Sequence, residues 1–371
     1  MLSLAQLTRL AHALRDQRVL TVYVDGSASD PAVQRSWHVQ IDNALKDLRG
    51  WLADSPHDER EAFEDCVRML EAELTEFDPG VGAPGAVSFL SPGQTPETHT
   101  LPVPTPTLAV WSTGPCLSPY LRALKQTRSV VVAVSDARKT RIFKYRVGQL
   151  EHVADVRSHH AVPGTSHMGN APRVGFHAGT RGRTGRDEAQ RALLTGRDRM
   201  IGSAVQRLTE LADGDGWIVL GGIHRVSARI AERLAFAMPN RVAVLDSLDI
   251  HSTEAEISEA AAGAASALRD ASDGRRLTQI CDASGAHGLG MLGFDETRQA
   301  LDQVCVRDVL LTRRFIERHA AEAERIIRDA VAQDAVIEEV ARGVAARLDE
   351  LGGIAAGLRF RPALVDVPIM V

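Results

Sequence analysis

Aromatic residues make up only 4% of this 371-residue chain, and its four cysteines, Cys66, Cys116, Cys281 and Cys305, stand far apart with no CxxC pair. That spacing excludes a disulfide framework and a zinc ribbon, and the plain reading is reduced thiols in the cytosol. The N-terminus lacks the continuous apolar core of a signal peptide and the length of a membrane span. Leu4, Leu7, Leu10, Ala11 and Leu14 fall at helical spacing and are interrupted by Arg9, His12 and Arg15. An amphipathic helix and a cytoplasmic protein are expected.

The most informative absence lies in the middle of the chain. From Val156 to Arg186 there is no Asp or Glu, while Arg157, Arg173, Arg181, Arg183 and Arg186, four histidines (His159, His160, His167, His177) and six glycines are present. The whole chain carries a formal −5 and this segment alone +5, so the remainder stands at −10. A concentrated positive loop on an acidic protein is the footprint of contact with an anionic polymer, nucleic acid above all. Arginine without lysine fits that reading, because a planar guanidinium forks onto phosphate and stacks on bases. Loops of this length are uncommon in compact domains unless they are functional or disordered.

Composition and periodicity divide the chain into three α/β segments, 1–121, 122–250 and 251–371. In the first, Val19–Val24 reads as a strand, with helices over about 32–52 and 57–76. Only Ala86–Leu90 reads as a strand within the Gly- and Pro-rich stretch 78–106. In the second, Ser129–Val134 and Thr140–Tyr145 form a hairpin, with a third strand over 149–156. After the basic loop come a helix over about 187–212, a strand at Trp217–Gly221, a helix over 226–237 and a strand at Arg241–Leu245. In the third, helices are expected over 253–269, 294–303 and 317–332, with strands at Val306–Leu311, Ala335–Val340 and before Phe360. Gly352 and Gly353 suit a helix C-cap.

Other candidates have bland readings that weigh more. The loop histidines have neither a regular ligand spacing nor a nearby carboxylate, so no metal is expected. Gly221-Gly222, between a strand and a helix, has neither GxGxxG nor GxxxxGK[ST] around it, and a tight turn outweighs a phosphate cradle. Ser284 and His287 sit in a stretch without a nucleophile elbow, so a flexible loop is favoured. Trp37, Trp51, Trp111 and Trp217 read as core. The mixed charges from Arg313 to Arg328 read as a solvated helix face.

The end of the chain carries a resemblance. Phe294-Asp-Glu-Thr-Arg-Gln-Ala-Leu leads into Val306-Arg-Asp-Val-Leu-Leu311, and Leu351-Gly-Gly-Ile-Ala-Ala-Gly-Leu-Arg-Phe360 closes the third segment. This resembles the archaeo-eukaryotic peptide-chain release factor and Pelota superfamily, and more closely its bacterial branch of Balon-like, ribosome-associated factors. The resemblance implies three α/β domains in a release-factor-like arrangement, with an L7Ae-like C-terminal domain. It also implies a mobile loop in the middle domain that enters the peptidyl-transferase centre of the ribosome. Release factors bear Gly-Gly-Gln on that loop; here Gly179-Thr-Arg-Gly-Arg-Thr-Gly185 stands in the matching place and Gly-Gly-Gln occurs nowhere. No counterpart of their stop-codon-reading Asn-Ile-Lys-Ser is found either.

The expectation is therefore a ribosome-binding factor of hibernation or rescue type without a catalytic residue or cofactor. Arg173, His177, Arg181, Arg183 and Arg186 are the expected rRNA contacts. A translational GTPase is an implied partner, no membrane is involved, and a monomer is expected. The alternative is a peptidyl-tRNA or ester hydrolase, or a nuclease, that uses the loop histidines.

Overall fold

A computed structural model describes residues 1–27, 36–76, 84–158, 181–212, 214–286 and 288–361, with side chains omitted at 36, 74–76, 181–190 and 192. The fold is mixed α/β with three sheets. By contacts it divides into two compact units, Arg128–Arg269 and a unit built from Met1–Thr127 together with Asp270–Val371.

The unit Arg128–Arg269 is built on a five-stranded sheet. Its strands are β5 (Val130–Ser135), β6 (Lys139–Arg146), β7 (Gln149–Arg157), β8 (Trp217–Gly222) and β9 (Val242–Val244), in the order β7-β6-β5-β8-β9. β6 is antiparallel to β5 and β7, whereas β5, β8 and β9 run parallel. Strands covered on both faces read as unbroken apolar runs, and every residue of β5 is buried. One face carries α5 (Arg181–Leu211) and α6 (His224–Ala237), whose Met200, Ile201, Ala204, Leu208, Val226, Ile230 and Leu234 meet Val131, Ala133 and Leu220. The other face carries the start of α7 (Glu254–Gly285). There Ile257, Ala261, Ala264, Ala265 and Leu268 recur at helical spacing over Val130, Val132 and Val134.

The other unit holds two four-stranded sheets. The first, β3-β2-β1-β4, is wholly antiparallel: β1 Arg18–Asp25, β2 Gly85–Leu90, β3 Glu97–Leu101, β4 Leu108–Thr113. α2 (Ser36–Trp51) and α3 (His57–Glu76) cover it through Trp37, Ile41, Leu45, Phe63, Val67 and Leu70. α1 (Leu4–Ala13) opens on a capping box between Ser3 and Gln6. The second sheet, β10-β13-β11-β12, joins Gly290–Leu292, Ile354–Leu358, Val306–Leu311 and Val336–Glu339, and only β11 and β12 pair in parallel. It is accompanied by α8 (Phe294–Asp302), α9 (Arg313–Arg318), α10 (Ala320–Ala332) and α11 (Arg342–Glu350). As the sequence reading expects, Gly352 and Gly353 follow a helix end, at φ +97° and +78°.

A helix that the sequence reading omits, α4 (Ser118–Gln126), ties the two halves of this unit together. Position 121, the expected boundary, lies inside it. Its first turn is capped by a buried carboxylate: Leu117 and Ser118 donate their backbone N–H to Glu324 at 2.7 and 3.1 Å. Farther along α4, Lys125 Nζ lies 2.8 Å from Asp273 and 3.0 Å from Glu338, all three nearly enclosed. Arg122 pairs with Glu339 at 2.7 Å.

Several expectations change. The charged run from Arg313 is two helices broken at His319. It is not uniformly solvated, because Glu324 caps α4 and Arg328 reaches the Pro115 carbonyl. Burial lowers the Arg328 pKa, against the opposing pull of Glu324. α7 continues through Asp270-Ala-Ser-Asp-Gly274 to Gly285, so Ser284 lies in a helical turn rather than a loop, and His287 falls outside the described residues. Trp37, Trp111 and Trp217 are core, but Trp51 is 78% exposed.

Candidate nucleic-acid interface

The basic segment leaves the sheet at the end of β7. The β5–β6 turn is built by Asp136, whose Oδ1 accepts the backbone N–H groups of Arg138 and Lys139 at 2.6 Å. Lys139 stands opposite Arg157 in the β6–β7 ladder, and Ser158 donates its N–H to the Arg138 carbonyl at 2.8 Å. Three basic side chains lie around one acid at this root. Lys139 lies 2.9 Å from Asp155, His152 3.0 Å and Arg157 3.8 Å. Burial pushes the Asp155 carboxyl up, but the bonds from Lys139 and His152 outweigh it and hold its pKa below the ordinary value.

The chain re-enters the described structure at Arg181, the first residue of α5. Gly182, Thr184 and Gly185 are poor helix formers, which is why sequence reasoning starts this helix near Asp187. The loop between regular elements is accordingly shorter than 156–186, because β7 includes Arg157 and α5 begins at Arg181. Among the described side chains of α5, Arg191, Leu193, Leu194 and Thr195 are exposed, whereas Met200 and Ile201 are buried against the sheet. The fifteen residues from Arg181 to Thr195 span about 22 Å at 1.5 Å each. This part of the helix carries Arg181, Arg183, Arg186 and Arg191.

Of the five residues expected to contact RNA, Arg173 and His177 lie outside the described residues, as do His159, His160 and His167. Arg181, Arg183 and Arg186 are placed on the first turns of α5, and their side chains also lie outside the described set.

The Gly221-Gly222 turn is closed to an anion. Gly222 donates its N–H to the Leu248 carbonyl and Ile223 to that of Ser135, at 2.7 and 2.8 Å. Among the described residues, no three of His, Cys, Asp and Glu gather as a metal site. The four cysteines are free thiols; burial pushes Cys66 up to about 12 and Cys116 well above its ordinary value, which leaves both unreactive.

A pocket of about 550 Å³ that sequence reasoning missed lies between β4 and α9–α10. Trp51, Leu108, Trp111, Pro119 and Ile316 form its apolar walls, and its Arg122 and Glu324 are committed to Glu339 and the α4 cap. Among the described residues, no helix is long and apolar enough to cross a membrane.

Residues 115–269 match the family of bacterial archaeo-eukaryotic release factors, family 10. Comparison with curated proteins found no match. Among solved structures the chain is similar to Archaeoglobus fulgidus Pelota, at 16% identity over 75% of this chain and 79% of that one, with a TM-score of 0.34. It is also similar to S. cerevisiae Dom34, a translation termination-like factor involved in RNA quality control pathways and interacting with Hbs1. There the identity is 9% over 72% of this chain and 74% of that one, with a TM-score of 0.46. A model of ribosome-bound archaeal Pelota and ABCE1 matches at 12% identity over 97% and 95% of the two chains, with a TM-score of 0.43. At such scores no residue role is carried across. The resemblance read at the end of the sequence thus meets a second one in its middle: over residues 115–269 this protein is similar to bacterial archaeo-eukaryotic release factor family 10.

Proposed function

We propose that this chain is a ribosome-binding translation factor of hibernation or rescue type. In this reading Arg173, His177, Arg181, Arg183 and Arg186 contact ribosomal RNA near the peptidyl-transferase centre. The observation that carries it is the acid-free segment from Val156 to Arg186, in a region similar to a release-factor family and running into the first turns of a helix. The factor acts as a cytoplasmic monomer of three domains, 1–121, 122–250 and 251–371, without cofactor or metal, and a translational GTPase delivers it. Without Gly-Gly-Gln the loop occupies the ribosome rather than hydrolysing peptidyl-tRNA.

The test is sucrose-gradient co-sedimentation with 70S ribosomes, empty or loaded with peptidyl-tRNA, at low and moderate salt. Five phosphate contacts give a slope of log K against log salt of roughly −3 to −4, at about −0.7 per single-strand phosphate. Replacing all five residues with Gln should abolish co-sedimentation and leave the fold intact. Retained co-sedimentation of that variant sinks the reading, and a measurable turnover lost with His177→Ala alone replaces it with a hydrolase. Preference for empty particles points to hibernation, and preference for loaded ones to rescue.

A further inference from the structure

On α6, arginines recur every fourth residue: Arg225, Arg229 and Arg233. At 100° per residue they occupy an arc of about 80°, and Phe236 falls inside the same arc. The buried residues of the helix, Val226, Ser227, Ile230 and Leu234, lie to one side of that arc, and the stripe is exposed. Phe236 is 96% exposed, which makes it the most exposed large apolar side chain among the described residues.

The stripe has a shaped support on α5. Asp198 forms an ion pair with Arg229 at 3.2 Å, and its carbonyl accepts a hydrogen bond from Arg233 at 3.5 Å. Gly202 has no side chain at the crossing, and an added Cβ there would meet Arg233 at 3.7 Å. Arg191 lies on the same side of α5 as Asp198 and Gly202, toward the end of the helix that carries Arg181, Arg183 and Arg186. Among the described side chains of these two helix faces, Asp198 and Glu232 stand beside the four arginines.

We infer that this stripe is a second RNA-binding surface, which holds one strand by its phosphates along Arg225, Arg229 and Arg233 and stacks a splayed base on Phe236. Steps of four helical residues set successive guanidinium roots about 6 Å apart, close to the phosphate-to-phosphate step of a single RNA strand. Guanidinium groups fork onto phosphate oxygens, and an exposed aromatic ring supplies the face on which an unstacked base settles. Duplex RNA offers no such base, so a single strand is the ligand. The inference rests on the RNA-binding reading above but on different residues.

The experiment is fluorescence anisotropy of the full chain with a labelled oligouridine of about twelve nucleotides, titrated at several salt concentrations. The same strand in a duplex and heparin serve as competitors. Arg225→Gln/Arg229→Gln/Arg233→Gln should make the salt slope shallower by about 2. Phe236→Ala should weaken single-strand binding about tenfold with the slope unchanged. Arg225→Gln and Phe236→Ala alone keep the test valid if the triple variant unfolds, which circular dichroism reports.

Equal slopes for the wild type and the triple variant overturn the stripe. If the five-residue loop variant loses affinity in that same titration, the proposed function stands without it. Loss in the stripe variants with an unaffected loop variant supports the stripe and refutes the loop. Heparin or duplex competing as well as the single strand, with no effect of Phe236→Ala, also overturns it and leaves a general anion-binding face.

Discussion

Glu324 caps a helix 207 residues before it in sequence: its carboxylate accepts the backbone N–H of Leu117 at 2.7 Å, and that of Ser118 beside it. The contact satisfies two otherwise orphaned donors and sets a negative charge at the positive end of α4.

Glu324→Ala leaves both N–H groups buried without their acceptor. A loss of about 2–4 kcal/mol is expected, since each orphaned buried donor costs about 1–3 kcal/mol. Urea denaturation measures it, and RNA affinity of the folded variant should not change. A loss below experimental error would mean that water replaces the carboxylate at the cap.

Lys125 holds Asp273 and Glu338 in an enclosed triad. Lys125→Met removes the ammonium that both buried carboxylates share. Arg276 still pairs with Glu338 at 3.4 Å, but Asp273 loses the cation bonded to both its oxygens, so destabilisation of about 3–5 kcal/mol is expected. Lys125→Met/Asp273→Asn/Glu338→Gln should recover part of that loss, because the uncompensated charge goes with it. Thermal unfolding of the two variants tests the claim; no difference between them would contradict it.

Asp155, at the root of the basic segment, has a folded pKa below its ordinary value. The sign follows from linkage: its stabilisation is fully present above the unfolded carboxyl pKa of about 3.9. It is lost as pH falls through the lower folded value. Asp155→Asn should therefore lower the melting temperature at pH 7 and converge on the wild type at strongly acid pH. A gap that persists below the folded pKa would show that the amide disturbs packing instead.

Gly222 has φ +98°, and a Cβ there would approach the Ser135 carbonyl oxygen to 1.9 Å. Gly222→Ala combines a left-handed backbone with a clash against an adjacent strand, and a loss of about 3 kcal/mol or more is expected. Guanidinium denaturation reads it. Ser135→Ala keeps that backbone contact and should cost far less.

Much of the fold is legible in local pattern. β1, β5 and β8 announce themselves as buried, largely apolar runs, and α6 and α10 as amphipathic helices, because burial on one or both faces imposes a period that the residues record. Elements whose identity depends on partners are not. β3, Glu97-Thr-His-Thr-Leu101, is a polar strand bonded, among the described strands, to β2 alone and has no apolar alternation to betray it. α4 opens on Ser118-Pro119, a good helix start, yet is too short for periodicity to separate it from a linker. α7 runs through Gly263 and Ser272-Asp273-Gly274, where propensity says stop, because burial of Ile257 to Leu268 within Arg128–Arg269, and of Leu277 and Ile280 within the other unit, outweighs a few unfavourable residues.

The sequence by itself determined the charge asymmetry, the acid-free arginine segment and the four-residue period of Arg225, Arg229 and Arg233, since composition and spacing need no coordinates. Only the tertiary structure decided which of the described charges meet solvent. It closed the Gly221-Gly222 turn to anions by pairing its N–H groups, and it enclosed Lys125 and Glu324 against partners 148 and 207 residues away. It also left the α6 stripe exposed beside a small residue of α5. The reason is range. Helical and strand periods are set by near neighbours, whereas burial, capping and ion pairing across the chain exist only once distant segments have been brought together.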